Sequence, residues 1–122
     1  MPWAGILGSP IRWSGSLPQH LLLVRLAIAA DAVKAYRAWH DRHIRELLDA
    51  VPGFVSASRW EAASRAELSD RTAGFIAIYK IEGDPDAALA ELEDAKINGS
   101  LTAPPPGVVL ESSSVLYRAG RQ

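Results

Sequence analysis

The stretch AYRAWHDRHIRELLDAVPGF, residues 35–54, contains most of one helix, its end and the first residue of a strand. Apolar and aromatic side chains recur from Tyr36 to Leu47 at spacings of three and four, which is the period of an amphipathic helix. The proline–glycine pair at 52–53 ends that helix, because proline does not continue a helix and glycine is favoured just past its last turn. We therefore predict a helix over residues 32–50.

Working outward from this helix, four segments are predicted to be strands, and the first is rich in branched apolar residues. They are residues 21–28, 54–61, 73–81 and 108–118. A second helix is predicted over residues 86–97, with Asp84 as N-cap and Pro85 in the first turn, and Asp31 is the expected N-cap of the first helix. The order β-α-β-β-α-β predicts an α+β, ferredoxin-like domain over residues 20–119, with two helices on one face of a four-stranded antiparallel sheet.

Two helices cover only one face of such a sheet, yet the first strand is apolar on both. Leu22 and Val24 share one face, and Leu21 and Leu23 share the other. A second copy of the same sheet is the simplest cover, so we predict a homodimer. The alternative is a monomer covered by residues 1–19, a proline- and glycine-rich arm with two tryptophans that is either disordered or docked.

Composition excludes several classes of function. The chain has 122 residues, a net charge of −1 and no long basic run, so we expect no nucleic-acid partner. It contains no cysteine, which excludes thiol catalysis, disulfides and thiolate metal sites. The longest apolar run, LLLVRLAIAA, is interrupted by Arg25 and is too short to span a bilayer. The first residues lack the basic region of a secretory signal, and we expect a cytoplasmic protein without membrane association.

Two histidines lie on the inward side of the first helix. His40 is near the centre of the apolar stripe, and His43 lies about 60° to one side of it. A buried imidazole tends to lose its charge, so either ring can serve as a base at neutral pH. The alternative is a structural histidine whose nitrogens are satisfied by neighbours. No metal is predicted, since the inward side supplies no evident third ligand.

Two stretches, YRAWHDRHIRELLDAVPGFVSASRW and GFIAIYKIEGDPDAALAEL, resemble the EthD-like branch of the dimeric α/β-barrel superfamily. The resemblance covers residues 21–118 and is carried by the WHDRH segment at 39–43, the PGF turn at 52–54 and the aromatic strand at 75–81. It implies a dimer in which two sheets close into a barrel, with a cavity between the sheet and helices of each protomer. Members of that superfamily include polyketide cyclases, muconolactone isomerases, cofactor-free monooxygenases and haem-degrading enzymes.

The expected cavity is lined by one side of the first helix and by the second and third strands. Its predicted lining residues are Tyr36, Trp39, His40, His43, Phe54, Ser58, Trp60, Phe75 and Tyr79. Period-two alternation leaves open which side of the second strand faces the helices. We prefer the set with Trp60 over the set with Arg59 and Glu61, because aromatic rings suit a flat organic ligand.

These residues suggest a small cofactor-independent enzyme, of cyclase, isomerase, dehydratase or decarboxylase type, acting on an aromatic or polyketide-like substrate. His40 would remove a proton, His43 would orient His40 or return the proton, and Tyr36 or Tyr79 would hydrogen-bond the developing oxyanion. The alternatives are a cofactor-free monooxygenase, a haem-linked one with His40 or His43 on the iron, and a small-molecule binding protein without turnover.

Overall fold

The computed structural model describes residues 20–63 and 71–120, and the structural statements that follow refer to these. The elements in chain order are β1 (His20–Ala29), a 3-10 turn (Ala30–Ala32), α1 (Val33–Ala50), β2 (Phe54–Glu61), β3 (Thr72–Ile81), α2 (Pro85–Ile97) and β4 (Val109–Arg118). The predicted β-α-β-β-α-β order is confirmed. The predicted arm and most of the loop between β2 and β3 lie outside the described residues.

The four strands form one antiparallel sheet in the order β2-β3-β1-β4, which is the ferredoxin-like arrangement. Strands β1 and β3 are central, as their apolar composition indicates. Alternate residues of β3, such as Ala77, Tyr79 and Ile81, are buried in one core cluster with residues of both helices, including Leu47 and Ala88. Both helices therefore pack on the same face of the sheet.

The start of α1 differs from the sequence prediction. Asp31 lies within the 3-10 turn, and the N-cap residue is Ala32, which makes no side-chain cap. The prediction of Asp31 as the N-cap is therefore wrong. Backbone pairing explains the difference, since the N–H of Ala30 donates to the carbonyl of Arg71 at 2.8 Å and holds the chain in a tight turn before the helix.

The start of α2 agrees with the prediction. The side chain of Asp84 accepts a hydrogen bond from the backbone N–H of Asp86 at 2.9 Å, with Pro85 in the first turn. This helix lies close to the turn that ends α1. A Cβ atom on Gly53 would come within 3.0 Å of the Cβ of Ala88, so glycine permits the close approach of the two segments.

A β-bulge near the start of β2 determines which of its side chains face the helices. Phe54 pairs with Ile81, but Val55 is an extra residue that the ladder skips. After the bulge, the helix-facing residues of β2 are Ala57, Arg59 and Glu61. An inserted residue moves the following side chains to the opposite face. The prediction that Ser58 and Trp60 face the helices is therefore wrong; they lie on the other face, where Trp60 Nε1 donates to Ser58 Oγ at 2.9 Å.

The sheet face away from the helices carries exposed apolar side chains. Leu21, Val115 and Tyr117 are 37%, 47% and 50% exposed, and the strand register places all three on this outer face. The expectation that β1 is apolar on both faces is confirmed, and the homodimer stays a prediction. Neither helix in the described ranges has the length and apolarity needed to cross a membrane.

Candidate active site

A cavity of about 860 Å³ lies between α1 and the sheet. Its volume is within the range of small-molecule pockets, about 300–1,000 Å³. One wall is formed by ring-bearing side chains of α1, and the floor by Leu22, Val24 and Leu26 of β1. The remaining walls come from α2, which contributes Leu89, Leu92, Glu93 and Lys96, from the serines of β4 and from residues 101–104. The cavity therefore combines an apolar floor with a wall of aromatic and imidazole rings.

The structure brings together six of the nine predicted lining residues. They are Tyr36, Trp39, His40, His43, Phe54 and Tyr79. Phe75 instead packs in a second core cluster, with its ring centroid 4.8 Å from that of Tyr36. Ser58 and Trp60 lie on the outer face because of the bulge. All four predicted residues of α1 line the cavity, together with Phe54 and Tyr79 from the strands, whereas the bulge in β2 reverses the alternation predicted for Ser58 and Trp60.

The rings of α1 form two stacks along the cavity wall. Tyr36 stacks on His40 with centroids 5.4 Å apart, and Trp39 stacks on His43 with centroids 4.6 Å apart. Both stacks join residues four positions apart, which lie one above the other on a helix. The sequence pattern Y-x-x-W-H-x-x-H therefore arranges four rings side by side on one face of α1.

His40 is the centre of a buried hydrogen-bond network. Its side chain is almost fully enclosed, with 1% exposure. Nε2 lies 2.8 Å from the hydroxyl of Tyr79, and Nδ1 lies 3.1 Å from Nη1 of Arg59. The same Nη1 atom donates to Asp41 Oδ1 at 2.9 Å. Both ring nitrogens of His40 are therefore engaged by protein groups.

The electrostatics of the cavity favour neutral groups. Burial lowers the pKa of His40 to about 4, with further lowering by the charges of Arg59 and His43 that outweighs the raising effect of Asp41. Burial also lowers the pKa of His43. It raises the pKa of Tyr36 to about 12 and raises that of Tyr79 well above its ordinary value. At neutral pH the cavity therefore presents two uncharged imidazoles and two protonated phenols.

Two polar atoms of the cavity residues lack a partner among the residues that the structure describes. They are the hydroxyl of Tyr36, whose side chain is fully buried, and Nδ1 of His43. A buried polar group without a hydrogen bond costs about 1–3 kcal/mol, and most such groups in proteins are satisfied. Both atoms are buried, and both belong to residues that line the cavity.

Hydrogen bonds from α1 hold the segment that closes one side of the cavity. Trp39 Nε1 donates to the carbonyl of Thr102 at 2.8 Å. The carboxylate of Glu46 accepts from the backbone N–H and the hydroxyl of Thr102, both at 2.8 Å, and these bonds lower the pKa of Glu46. Glu46 lies outside the apolar stripe of α1, and its position seven residues after Trp39, on the same side of the helix, is the sequence signal for this role.

The cavity residues differ in how well they would bind a metal ion or haem. Among residues 20–63 and 71–120, no group of three or more histidine or carboxylate side chains is placed to hold a metal ion. His40 does not fit as an iron ligand because both of its nitrogens are hydrogen-bonded. Nδ1 of His43 has no partner within the described ranges, so His43 rather than His40 would hold a haem iron. Lys96 is the single lysine or arginine among the lining residues that could pair with a propionate.

Comparison with known proteins identifies relatives by fold. No protein-family model matches the chain, and a search of curated proteins finds no match. A candidate antibiotic biosynthesis monooxygenase from Nitrosomonas europaea is similar in structure, with a TM-score of 0.60, 15% identity, and coverage of 89% of this chain and 95% of that one. A mutant of MhuD with two manganese protoporphyrin IX molecules per active site is also similar, with a TM-score of 0.59, 14% identity, and coverage of 84% of this chain and 96% of that one.

A third similar structure is the monooxygenase ActVA-Orf6 of Streptomyces coelicolor in complex with nanaomycin D. It gives a TM-score of 0.52 and 17% identity, and covers 85% of this chain and 89% of that one. Likeness at this level of identity establishes a shared fold, in agreement with the ferredoxin-like prediction. The structural neighbours are proteins of the antibiotic biosynthesis monooxygenase type, and the EthD-like designation is not confirmed.

Proposed function

We propose that this protein is a cofactor-independent monooxygenase that binds a flat phenolic or enolic molecule in the cavity. One observation carries the proposal: a single ring-walled cavity contains a neutral imidazole with a free nitrogen, on His43, and two protonated phenol hydroxyls, on Tyr36 and Tyr79. This set can take a proton from such a molecule and stabilise its oxyanion. Monooxygenases among the proteins of similar fold, one with nanaomycin D bound, support the oxygenase class.

In the proposed first step, Nδ1 of His43 removes a proton from the substrate. His43 takes this role rather than His40 because both nitrogens of His40 are engaged, whereas Nδ1 of His43 has no partner in the described part of the chain. Burial keeps His43 neutral, so it can accept the proton at pH 7. The hydroxyls of Tyr36 and Tyr79 donate to the oxygen on which negative charge develops.

In the proposed second step, the substrate anion reacts directly with molecular oxygen. For a substrate methylene next to an aromatic carbonyl, the carbanion transfers an electron pair to O₂ in forming a carbon–oxygen bond, and His43 returns its proton to the peroxide. Loss of the second C–H proton and of hydroxide leaves a carbonyl group and water. The balance is one methylene and one O₂ consumed for one carbonyl and one water formed.

Cyclisation or isomerisation is the second candidate function. The same observation favours it, since the imidazole of His43 and a tyrosine hydroxyl can move a proton between two substrate positions without an oxidant. The two functions share the first step and differ only in the use of O₂. A binding protein without turnover would use the same cavity and perform neither step.

The experiment that tests the proposal measures oxygen uptake with anthrone, a flat tricyclic ketone with an acidic methylene. We expect anthraquinone and O₂ uptake in equal amounts, above the uncatalysed rate, by protein that shows no Soret band. His43→Gln should lower kcat/KM on the order of 100-fold, while His20→Gln, outside the cavity lining, serves as the matched control. Conversion of polyketide-like phenols without O₂ uptake would favour the second candidate, and a haem-dependent rate would refute the cofactor-independent mechanism.

We also propose that two copies associate through their outer sheet faces. The support is the group of exposed apolar side chains on that face, Leu21, Val115 and Tyr117. Burying them against a second copy removes apolar surface from water, at about 25 cal/mol for each Å². The cavity lining comes mainly from the helical side of the sheet, so this association leaves most of it in place.

A further inference from the structure

We infer that Arg59 is a positioning residue: by donating to Nδ1 of His40 it makes His40 present its Nε2–H to Tyr79, so that the Tyr79 hydroxyl directs its own proton into the cavity. The inference deepens the proposed function and rests on it for the reaction, but its hydrogen-bond chain stands on geometry alone. It predicts a ligand that accepts a hydrogen bond from the Tyr79 hydroxyl. Sequence reasoning assigned no such role to Arg59.

The first hydrogen bond of this series, between Arg59 and His40, has only one possible direction. A guanidinium group has donors and no acceptor, so the contact between Arg59 Nη1 and His40 Nδ1 at 3.1 Å makes Nδ1 the acceptor. Nη1 carries two hydrogens, and Asp41 accepts the other one at 2.9 Å. A neutral imidazole has a single N–H, which must then be on Nε2.

The direction of the second hydrogen bond, between His40 and Tyr79, follows from that of the first. With its hydrogen on Nε2, His40 donates to the oxygen of Tyr79 at 2.8 Å, and the proton of that hydroxyl must point to a different acceptor. Tyr79 is 5% exposed, and its ring meets the edge of Phe54 at a centroid distance of 5.9 Å, which restricts its orientation. Because Tyr79 lines the cavity, the ligand is the acceptor available to it. Hydrogen bonds in such a chain polarise one another, so the last donor is strengthened.

This series of hydrogen bonds specifies the chemistry of the ligand. The Tyr79 proton and the unpartnered hydroxyl of Tyr36 supply two donors from adjacent walls of the cavity. A phenolate, enolate or carbonyl oxygen satisfies both, whereas an aromatic amine presents a donor to a donor. Two probes of the same shape, para-nitrophenol and para-nitroaniline, therefore separate an acceptor-selective cavity from one that selects by shape alone.

The tautomer of His40 is the direct test, and nitrogen-15 NMR measures it without any turnover. We expect wild-type protein to show a protonated Nε2 and an unprotonated Nδ1 from pH 6 to pH 8, consistent with a pKa of about 4. Arg59→Met should give a mixture of tautomers, and Arg59→Lys, which keeps a donor, should restore the single one. Arg37→Met is the matched control, since Arg37 of α1 pairs with Glu61, a residue on the same strand as Arg59, and has no hydrogen bond to His40.

A protonated Nδ1 in the wild-type protein, or a tautomer unchanged in Arg59→Met, would overturn the inference. Arg59→Lys keeps the test decisive if the methionine variant does not fold, because loss of the single tautomer in folded lysine variant would also overturn it. Since this readout needs no substrate, it distinguishes failure of the hydrogen-bond chain from failure of the proposed oxygenase activity.

Binding of the two probes tests the consequence for ligand selection. We expect para-nitrophenol, followed by its phenolate absorbance at pH 7, to bind on the order of tenfold more tightly than para-nitroaniline, and Arg59→Met to lose most of that difference. Arg37→Met should retain it. Equal affinities for the two probes, or no binding of para-nitrophenol at millimolar concentration, would overturn the ligand selectivity.

Discussion

Removal of the hydroxyl of Tyr36 should stabilise the protein. The side chain is 0% exposed, and its oxygen has no hydrogen-bond partner within the described ranges. The unfolded chain hydrates this hydroxyl, and the folded protein does not, which costs about 1–3 kcal/mol. Tyr36→Phe keeps the ring that stacks on His40 and packs on Phe75. We expect the free energy of unfolding to rise by about 1 kcal/mol, and Tm by roughly 4 °C.

Removal of the hydroxyl of Tyr79 should instead destabilise the protein. Tyr79 is also buried, at 5% exposure, but its hydroxyl is hydrogen-bonded to Nε2 of His40 at 2.8 Å. Tyr79→Phe removes that bond and leaves a buried imidazole N–H unsatisfied, so the free energy of unfolding should fall by about 1–3 kcal/mol. The two variants therefore differ by about 2 kcal/mol or more although each loses one oxygen atom.

Urea unfolding followed by tryptophan fluorescence, at one fixed protein concentration, measures both changes. Equal destabilisation by the two variants would refute the reasoning, because it would mean that the Tyr36 hydroxyl has a partner of its own. The hydroxyl of Tyr36 is also a proposed donor to the ligand. The stability gained in Tyr36→Phe should therefore be accompanied by weaker binding of para-nitrophenol, the usual conflict between stability and a functional polar group.

Three further predictions concern pH, the cavity wall and assembly. Because burial lowers the pKa of His40 from 6.5 to about 4, the unfolded chain takes up the proton first, and stability present above pH 6.5 is lost as the pH falls towards 4. The loss should total roughly 3 kcal/mol, so urea midpoints should depend less on pH in His40→Gln; an unchanged dependence would contradict the assignment. Glu46→Gln should speed hydrogen exchange at the Thr102 amide, since the carboxylate accepts that N–H at 2.8 Å; an unaltered exchange rate would argue against this anchor. Light scattering should show a dimer that Val115→Glu dissociates and that Ala38→Glu, an exposed change on α1, leaves intact; a monomeric wild type at micromolar concentration would disprove the association.

Sequence patterns that act over a few residues predicted most of the architecture. The spacing of Tyr36, His40 and Leu47 identified the buried side of α1, and all three are buried in the structure. The cap at Asp84 and the proline after it located the start of α2. These predictions succeed because helix periodicity and capping depend on residues that are neighbours along the chain, whatever the rest of the molecule does.

Features that depend on distant pairing escaped prediction. The cap at Asp31 failed because backbone bonds to another loop form a 3-10 turn there. Glu46 bonds to Thr102, which lies 56 residues further along the chain. No local pattern identifies the partner in either contact, since that partner is brought near only when the sheet has assembled.

The amino-acid sequence by itself determined the order of the elements, the ferredoxin-like sheet and the row of rings on α1, because these follow from local propensity and periodicity. Only the tertiary structure decided which side of β2 faces those rings. Alternation defines two sets of side chains but not their direction, and the extra residue at Val55 reverses them. That reversal turns Trp60 outward and brings Arg59 to His40, and with it the hydrogen-bond chain on which the proposed ligand selection depends.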